Sequence, residues 1–254
     1  MSILTDNFEY KLLAILAEGN DFYAMKRIVG YVFDNKDSNI VNQKIALNYL
    51  EKLIENGDSD AMLTKGALHY SGENEFVEQD FEKAIHLYNE AVNHKNIEKK
   101  GLNITALTNL GYCYLYGRAN DPDDKKAFYY FAQAAILNDG NAMYKIGDMY
   151  NNGKYVNKNS EAAFYWYKKA FLNTCNDDYN KASVAFRLGE AYLYGKGAKV
   201  SLLKALKYLQ ISEKHFYILA IEKPMLSNSV FASKQIKKVQ EQLIEVRKKL
   251  NEII

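Results

Sequence analysis

The sequence predicts an all-α protein in which helical hairpins repeat along the chain as an α/α solenoid. One observation is that "LGYCYLYG" at residues 110–117 returns as "LGEAYLYG" at residues 188–195. A second is that the glycine of this phrase has three further counterparts, and a third is that an alanine follows each glycine at a nearly constant distance. Spacings of 36 to 45 residues are typical of stacked repeats, which bury an apolar face only against their neighbours.

The first helix of each repeat, helix A, is predicted to contain this first glycine, at Gly30, Gly66, Gly111, Gly147 and Gly189. Apolar residues surround it with helical spacing, as in Ala142, Met143, Ile146, Met149 and Tyr150. A glycine inside a helix costs about 1 kcal/mol relative to alanine. Five of them in register therefore predict a close approach of helix A to helix B of the same repeat.

A loop of seven to nine residues is predicted to join helix A to helix B. Helix A is expected to end at a second glycine, where a left-handed conformation is needed, namely Gly72, Gly117, Gly153 and Gly195, with Lys36 as the exception. Four residues before each recurrent alanine stands a short polar residue that can cap helix B: Asn42, Asp80, Asp123, Asn159 and Ser201.

Both ends of the array are predicted to be capping helices with a polar outer surface. Residues 6–18 have a capping-box spacing from Asp6 to Glu9, and residues 228–253 form an amphipathic pattern. One continuous solenoid domain is expected, divided into a cap at 1–20, a degenerate repeat at 21–57, repeats at 58–95, 102–139, 140–173 and 180–219, and a cap at 227–254.

Composition and charge exclude several classes of partner. The 33 basic and 31 acidic residues are interspersed, so a nucleic-acid partner is not expected. No window approaches eighteen apolar residues, which argues against membrane insertion. The N-terminus lacks the pattern of a secretory signal, and two cysteines make no disulfide framework, so a cytoplasmic location is expected.

The stretches "LGYCYLYGRANDPDDKKAFYYFAQAA" and "IGDMYNNGKYVNKNSEAAFYWYKKAF" resemble the Sel-1-like repeat family. The resemblance covers about residues 20–218, and the longer loop separates the chain from tetratricopeptide repeats. The first repeat departs most, with Lys36 and Leu53 in place of the expected glycine and alanine. The resemblance implies a right-handed α/α superhelical solenoid that acts as a protein-binding adaptor or scaffold, with no cofactor and no enzymatic activity.

Two other functions are alternatives to a protein-binding scaffold. Ser201 and Lys204 form a Ser-x-x-Lys pair of the kind found in β-lactam-type serine hydrolases, but the chain has neither the Ser-Asp-Asn nor the Lys-Thr-Gly triad. Ser201 occupies the repeat position of the helix-B cap, and Lys204 occupies the position of Lys83 and Lys126 in other repeats. Both positions indicate the start of a helix. An RNA-reading solenoid is the other alternative, and the balanced charge argues against it.

Histidine and cysteine give no metal-ligand spacing. His69 occupies the aromatic column of helix A, and Cys113 occupies an apolar column, so both are predicted to be core residues. Cys175 stands in a polar loop and is predicted to be exposed.

If helix A lines the inner wall of the solenoid, four positions of this helix face a partner protein or peptide in the third, fourth and fifth repeats. Each set of equivalent positions in successive repeats forms a column along the solenoid. They contain Thr108, Tyr112, Leu115, Tyr116, Tyr144, Asp148, Asn151, Asn152, Phe186, Glu190, Leu193 and Tyr194. Tyrosine with asparagine and carboxylates is a mixture that interfaces favour. The alternative is that some of these residues contact the next repeat. Tyr112 and Glu190 occupy the same column, so specificity is expected to depend on such differences.

Overall fold

The computed structural model describes residues 8–34, 39–93, 103–119, 121–174, 178–222 and 226–253. Every regular element within these ranges is an α-helix, as the repeat pattern predicts. The helices are α1 (Phe8–Glu18), α2 (Phe22–Asp34), α3 (Ile40–Glu55), α4 (Ser59–Ser71), α5 (Phe81–Asn93), α6 (Asn103–Leu115), α7 (Asp124–Ile136), α8 (Gly140–Asn152), α9 (Ser160–Asn173), α10 (Asp178–Tyr194), α11 (Leu202–Glu222) and α12 (Leu226–Asn251).

The helices fall into two compact units, Met1–Pro122 with α1–α6 and Asp123–Ile254 with α7–α12. Within each unit, helices that follow one another in sequence pack together. The hairpins α2–α3 and α4–α5 lie in the first unit, and α8–α9 and α10–α11 lie in the second. Helix A also touches the helix A of the following repeat, since α4 contacts α6 and α8 contacts α10.

Three of the first glycines, Gly66, Gly147 and Gly189, lie where helix A meets its own helix B, as predicted. A Cβ atom at Gly147 would lie 2.6 Å from the Tyr167 ring of α9, and one at Gly66 would lie 2.7 Å from the Tyr88 ring of α5. In the last hairpin a Cβ at Gly189 would lie 2.7 Å from Leu209 of α11. Three buried residues fill these contacts, each four residues after the recurrent alanine of its repeat (Ala84, Ala163 and Ala205): Tyr88, Tyr167 and Leu209. Helix B therefore fills the space that the missing side chain leaves.

Backbone hydrogen bonds close the loop between the two helices in the same way in three repeats. The N–H groups of Asp80, Asn159 and Ser201 donate to the carbonyls of His69, Tyr150 and Tyr192, each over 2.9 Å. These acceptors are the aromatic column of helix A, so the start of helix B is tied to the end of helix A. The second glycines have positive φ as expected, and Gly153, at 70°, donates its N–H to the Met149 carbonyl at the end of α8.

The capping column is confirmed in three repeats and is wrong in the first. Side chains of Asp80, Asp123 and Asn159 accept bonds of 2.9 Å from the amides three residues ahead, and Ser201 directly precedes α11. Asn42 is not a cap, because α3 begins at Ile40 and Asn39 accepts from the amides of Val41 and Asn42. Asn42 is a buried residue inside the helix.

Helix α1 packs on α2 as a terminal helix, but its outer face is not polar. Tyr10, Leu13 and Ala17 are buried against the first unit. Leu12, Ile15 and Leu16 form a second apolar stripe at helical spacing and are 49%, 67% and 43% exposed. The predicted Asp6 capping box and residues Lys36, His94 and Cys175 lie outside the described residues.

Replacement of Gly147 by alanine should destabilise the protein. The added Cβ must displace the buried Tyr167 ring, and overpacking of this kind costs about 1–3 kcal/mol. That loss exceeds the gain in helix propensity of about 1 kcal/mol. Urea unfolding followed by circular dichroism measures the free energy of unfolding.

Gly153→Asn is the matched control, because it removes a glycine from the end of the same helix. A Cβ there makes an ordinary contact of 3.4 Å with Lys158, and asparagine tolerates the left-handed conformation. We expect a change below about 1 kcal/mol. A Gly147→Ala protein as stable as the wild type would contradict the packing explanation.

Candidate functional site

The twelve residues predicted to face a partner are divided between the two units. Thr108, Tyr112, Leu115 and Tyr116 lie on or directly after α6 in the first unit. The remaining eight lie on α8 and α10 in the second unit. The second unit therefore contains the larger part of the predicted surface, contributed by two adjacent A helices.

Burial separates these residues into three groups. Thr108, Tyr144 and Leu193 are buried, so their side chains pack inside the protein and do not face outward. Tyr116 and Tyr194 are 52% and 42% exposed, and Asn152 is also exposed. The intermediate group consists of Tyr112, Leu115, Asp148, Asn151, Phe186 and Glu190.

A charged cluster between α8 and α10 contains two of the intermediate residues. The guanidinium of Arg187 donates from Nε to Asp148 Oδ1 over 3.0 Å and from Nη1 to Glu190 Oε2 over 3.2 Å. The Tyr167 hydroxyl donates to the same Asp148 oxygen over 2.8 Å. The cluster therefore joins the helix A of the fourth repeat to its own helix B and to the next helix A. Asp148 and Glu190 therefore bind Arg187 within the protein. For Asp148 this is a contact with the next repeat, which was the alternative to contact with a partner.

Burial and neighbouring charges shift the pKa values of Arg187 and of two tyrosines at this cluster. Burial opposes the charge of Arg187, but Asp148 and Glu190 hold the pKa of the guanidinium above its ordinary value. Burial, together with the Asp148 carboxylate, raises the pKa of the Tyr167 hydroxyl. The same two causes raise the pKa of Tyr144, whose ring lies 6.1 Å from that of Tyr167. At neutral pH the tyrosines are therefore neutral donors beside a fixed ion pair.

Helix α12 contacts the outer columns of α10. Gln242 donates to Glu190 Oε1 over 3.4 Å, and the Tyr194 hydroxyl donates to Glu245 Oε2 over 2.8 Å. Lys249 pairs with Glu245 over 2.7 Å, and the hydrogen bonds from Lys249 and Tyr194 lower the pKa of Glu245. Burial and the bond to Glu245 raise the pKa of Tyr194 to about 12. Side-chain hydrogen bonds therefore tie α12 to α10.

The second unit contains a cavity of about 230 Å³. Its walls come from α8, α10, α11 and α12, and they are formed by Tyr144, Tyr179, Ser183, Phe186, Arg187, Phe216, Phe231, Gln235 and Lys238. Five of these nine side chains are aromatic. The only charged residues in the described wall, Arg187 and Lys238, are both cations.

The Ser201 and Lys204 pair has the surroundings of a helix start. Ser201 precedes α11, and its carbonyl accepts the N–H of Ala205 over 2.9 Å. The exposed Lys204 has its ammonium 5.2 Å from the centre of the Tyr192 ring, an arrangement typical of a cation–π contact. Ser201 therefore stands at the start of a helix, and Lys204 lies against an aromatic ring.

The remaining titratable candidates have structural contacts as well. His69 is buried and its Nδ1 lies 3.0 Å from the Glu78 carbonyl oxygen. Cys113 is buried, which raises the pKa of its thiol to about 11. Across the ranges that the structure describes, no cluster of three His, Cys, Asp or Glu residues could hold a metal ion. In the same ranges, no helix has the length and apolar character needed to cross a membrane.

Comparison with known proteins identifies the repeat. The model of the Sel1 repeat family matches residues 40–58, 61–96, 104–139, 140–173 and 182–213, which is more than half of the chain. The chain is 31% identical over 116 residues to the chitin synthase regulator SKT5 of Saccharomyces cerevisiae. That match covers 44% of this chain and 15% of the yeast protein.

Two solved structures share the fold. One is c5321, a protective antigen of uropathogenic Escherichia coli strains that displays an SLR fold, with a TM-score of 0.65 and 23% identity. The match covers 94% of this chain and 48% of c5321, so the chain spans about half the length of that protein. The other is a Sel1 repeat protein from Oxalobacter formigenes, with a TM-score of 0.63, 22% identity and coverage of 90% and 88%.

Loss of Arg187 should destabilise the second unit strongly. In Arg187→Met, the partly buried Asp148 and Glu190 lose charge-assisted hydrogen bonds, each of which contributes about 1.5–3 kcal/mol. Because the three side chains keep 18–30% of their exposure, water replaces part of these bonds, and we expect the free energy of unfolding to fall by about 2–3 kcal/mol. Chemical denaturation measures this change.

Arg247→Met is the control, since it makes the same chemical change at an exposed position of α12. Its effect should stay within about 0.5 kcal/mol. Equal effects of Arg187→Met and Arg247→Met would show that the cluster does not hold the A helices together.

Proposed function

The chain belongs to the Sel1 repeat family, and from this we propose that it is a non-catalytic adaptor or scaffold that binds another protein or peptide. In each unit, the proposed binding surface is formed by side chains of the A helices that remain accessible after the repeats have packed. The first unit contributes Tyr112, Leu115 and Tyr116 to its own surface, and the second unit contributes Asn151, Asn152, Phe186 and Tyr194 to its own. Asp148 and Glu190 position the surface of the second unit through Arg187.

The observation that carries this proposal is the combination of exposed tyrosine and asparagine on the A helices with an aromatic cavity that two of these helices line. In the second unit, Asn152 and Tyr194 are exposed on α8 and α10, the helices that also line the cavity. In the first unit, Tyr112 and Tyr116 stack with ring centres 5.8 Å apart. Tyrosine supplies contact area and a hydroxyl with few rotatable bonds, which suits a binding surface.

The similarity to a chitin synthase regulator agrees with such a role, because a regulator acts on another protein. It covers only 15% of the yeast protein, so chitin synthase is not proposed as the partner here. A cytoplasmic location is part of the proposal, since two cysteines supply no disulfide framework of the secreted kind.

A surface variant tests the proposal. Tyr116→Ala/Asn151→Ala/Asn152→Ala removes accessible groups of the A helices without touching the Arg187 cluster. Tagged protein is crosslinked in the native cell, and co-purified proteins are quantified by mass spectrometry. We expect partners of the wild type to fall at least about tenfold, because truncation of central interface residues costs more than about 1.4 kcal/mol in total.

Tyr129→Ala/Tyr165→Ala is the control. These tyrosines are 61% and 54% exposed on the B helices α7 and α9, so the variant removes similar groups from a different face. Both variants should melt within a few degrees of the wild type. An unchanged partner set in the A-helix variant, or its loss in the B-helix control, would contradict the assignment.

A further inference from the structure

We propose that the cavity of the second unit is an anchoring pocket for one aromatic side chain of the bound partner, with an adjacent carboxylate held by Arg187 and Lys238. This inference rests on the proposed function and names the chemistry that the partner must present. The cavity wall consists of residues from four helices of one unit, α8, α10, α11 and α12.

The size of the cavity favours a single side chain over a free small molecule. Small-molecule sites usually have volumes of about 300–1,000 Å³. The present cavity, at about 230 Å³, is smaller than that range. An aromatic side chain is the largest apolar group that a partner can insert as one residue.

The walls suit an aromatic ring because they are themselves aromatic and already packed. Phe216 is only 2% exposed, and its ring lies 6.2 Å from that of Phe231 in an edge-to-face arrangement. The centre of the Tyr179 ring lies 5.4 Å from that of Phe231. A further ring can add to this cluster by stacking or by an edge contact, and little of the wall has to move.

The polar groups of the wall suit a carboxylate beside the aromatic side chain of the ligand. Arg187 and Lys238 are cations, whereas Asp148 and Glu190 are not part of the wall. These two carboxylates hold Nε and Nη1 of the guanidinium, and neither ion pair uses Nη2. The hydroxyl of the buried Ser183 and the amide of Gln235 are further potential donors.

The wall disfavours the other occupants of a cavity of this size. A cationic side chain would meet Lys238 and the Arg187 guanidinium, whereas the carboxylates of Asp148 and Glu190, which pair with Nε and Nη1, are not part of the wall. An entirely apolar group would cover polar atoms without replacing their hydrogen bonds to water. An aromatic group beside a carboxylate satisfies both parts of the wall. The carboxylate can be the C-terminus of a chain that ends in an aromatic residue, or an Asp or Glu next to an internal aromatic residue.

Titration with small probes tests the pocket directly. The full chain, labelled with 15N, is titrated with N-acetyl-phenylalanine, its uncharged amide, N-acetyl-alanine and N-acetyl-phenylalanyl-glutamate amide. Amide signals of cavity residues such as Phe186 and Phe231 report binding by NMR. We expect N-acetyl-phenylalanine to bind at least about fivefold more tightly than its amide, and N-acetyl-alanine not to shift these signals.

The glutamate probe distinguishes the two sources of the carboxylate. Binding of this probe as tight as that of N-acetyl-phenylalanine assigns the pocket to an internal acidic-aromatic pair. Binding that is confined to the free acid assigns it to a C-terminal aromatic residue. Either result supports an aromatic group with a carboxylate as the ligand.

Two charge reversals on neighbouring residues provide the control. Lys238→Glu changes the cavity wall, and Lys237→Glu makes the same change at an exposed position of α12 outside it. We expect Lys238→Glu to weaken binding of N-acetyl-phenylalanine about tenfold and Lys237→Glu to change it less than about twofold. Because both lysines are exposed, neither variant should lower the melting temperature.

The inference is overturned if N-acetyl-phenylalanine causes no shift in the cavity signals, if its amide binds equally well, or if both lysine variants weaken binding alike. These failures are distinct from failure of the proposed function. Partner capture that depends on Tyr116, Asn151 and Asn152, together with an empty probe titration, would leave an A-helix binding surface without this pocket.

Discussion

The contact between a glycine of helix A and a large residue of helix B is the constraint on which the rest of the structure depends. It recurs as Gly66 with Tyr88, Gly147 with Tyr167, and Gly189 with Leu209. Because the two helices meet there, the loop can be closed by one backbone bond from the cap of helix B to the aromatic residue of helix A. The outward columns of helix A follow from this geometry, because the glycine fixes which face is turned inward.

One hairpin stacks on the next through positions whose residue type differs from repeat to repeat in this chain. Arg187 on α10 binds Asp148 on α8, and α12 is joined to α10 by the hydrogen bonds of Gln242 with Glu190 and of Tyr194 with Glu245. The same columns were expected to be free for a partner. In the second unit, packing between repeats therefore consumes part of the predicted binding surface and leaves an aromatic cavity beside it.

Much of the architecture could be predicted because backbone geometry repeats with the sequence. The glycines, the caps Asp80, Asp123 and Asn159, and the loop length follow from steric and hydrogen-bonding rules that act locally. Asn42 misled because Asn39, three residues earlier, offers the same chemistry. The Arg187 cluster was missed because it joins two repeats: Arg187 and Glu190 belong to the fifth repeat, and Asp148 and Tyr167 belong to the fourth. Its signal was an arginine two residues before one glycine and an acid one residue after the preceding glycine.

The central claim is that a helix-A glycine exists to admit a helix-B side chain, and one double-mutant cycle tests it. Gly147→Ala is measured in the wild type and in a Tyr167→Ala background by chemical denaturation. With the ring removed, alanine should no longer clash, so the substitution should become neutral or stabilise by up to about 1 kcal/mol through helix propensity. The same destabilisation in both backgrounds would contradict the claim that the glycine is required by the Tyr167 ring.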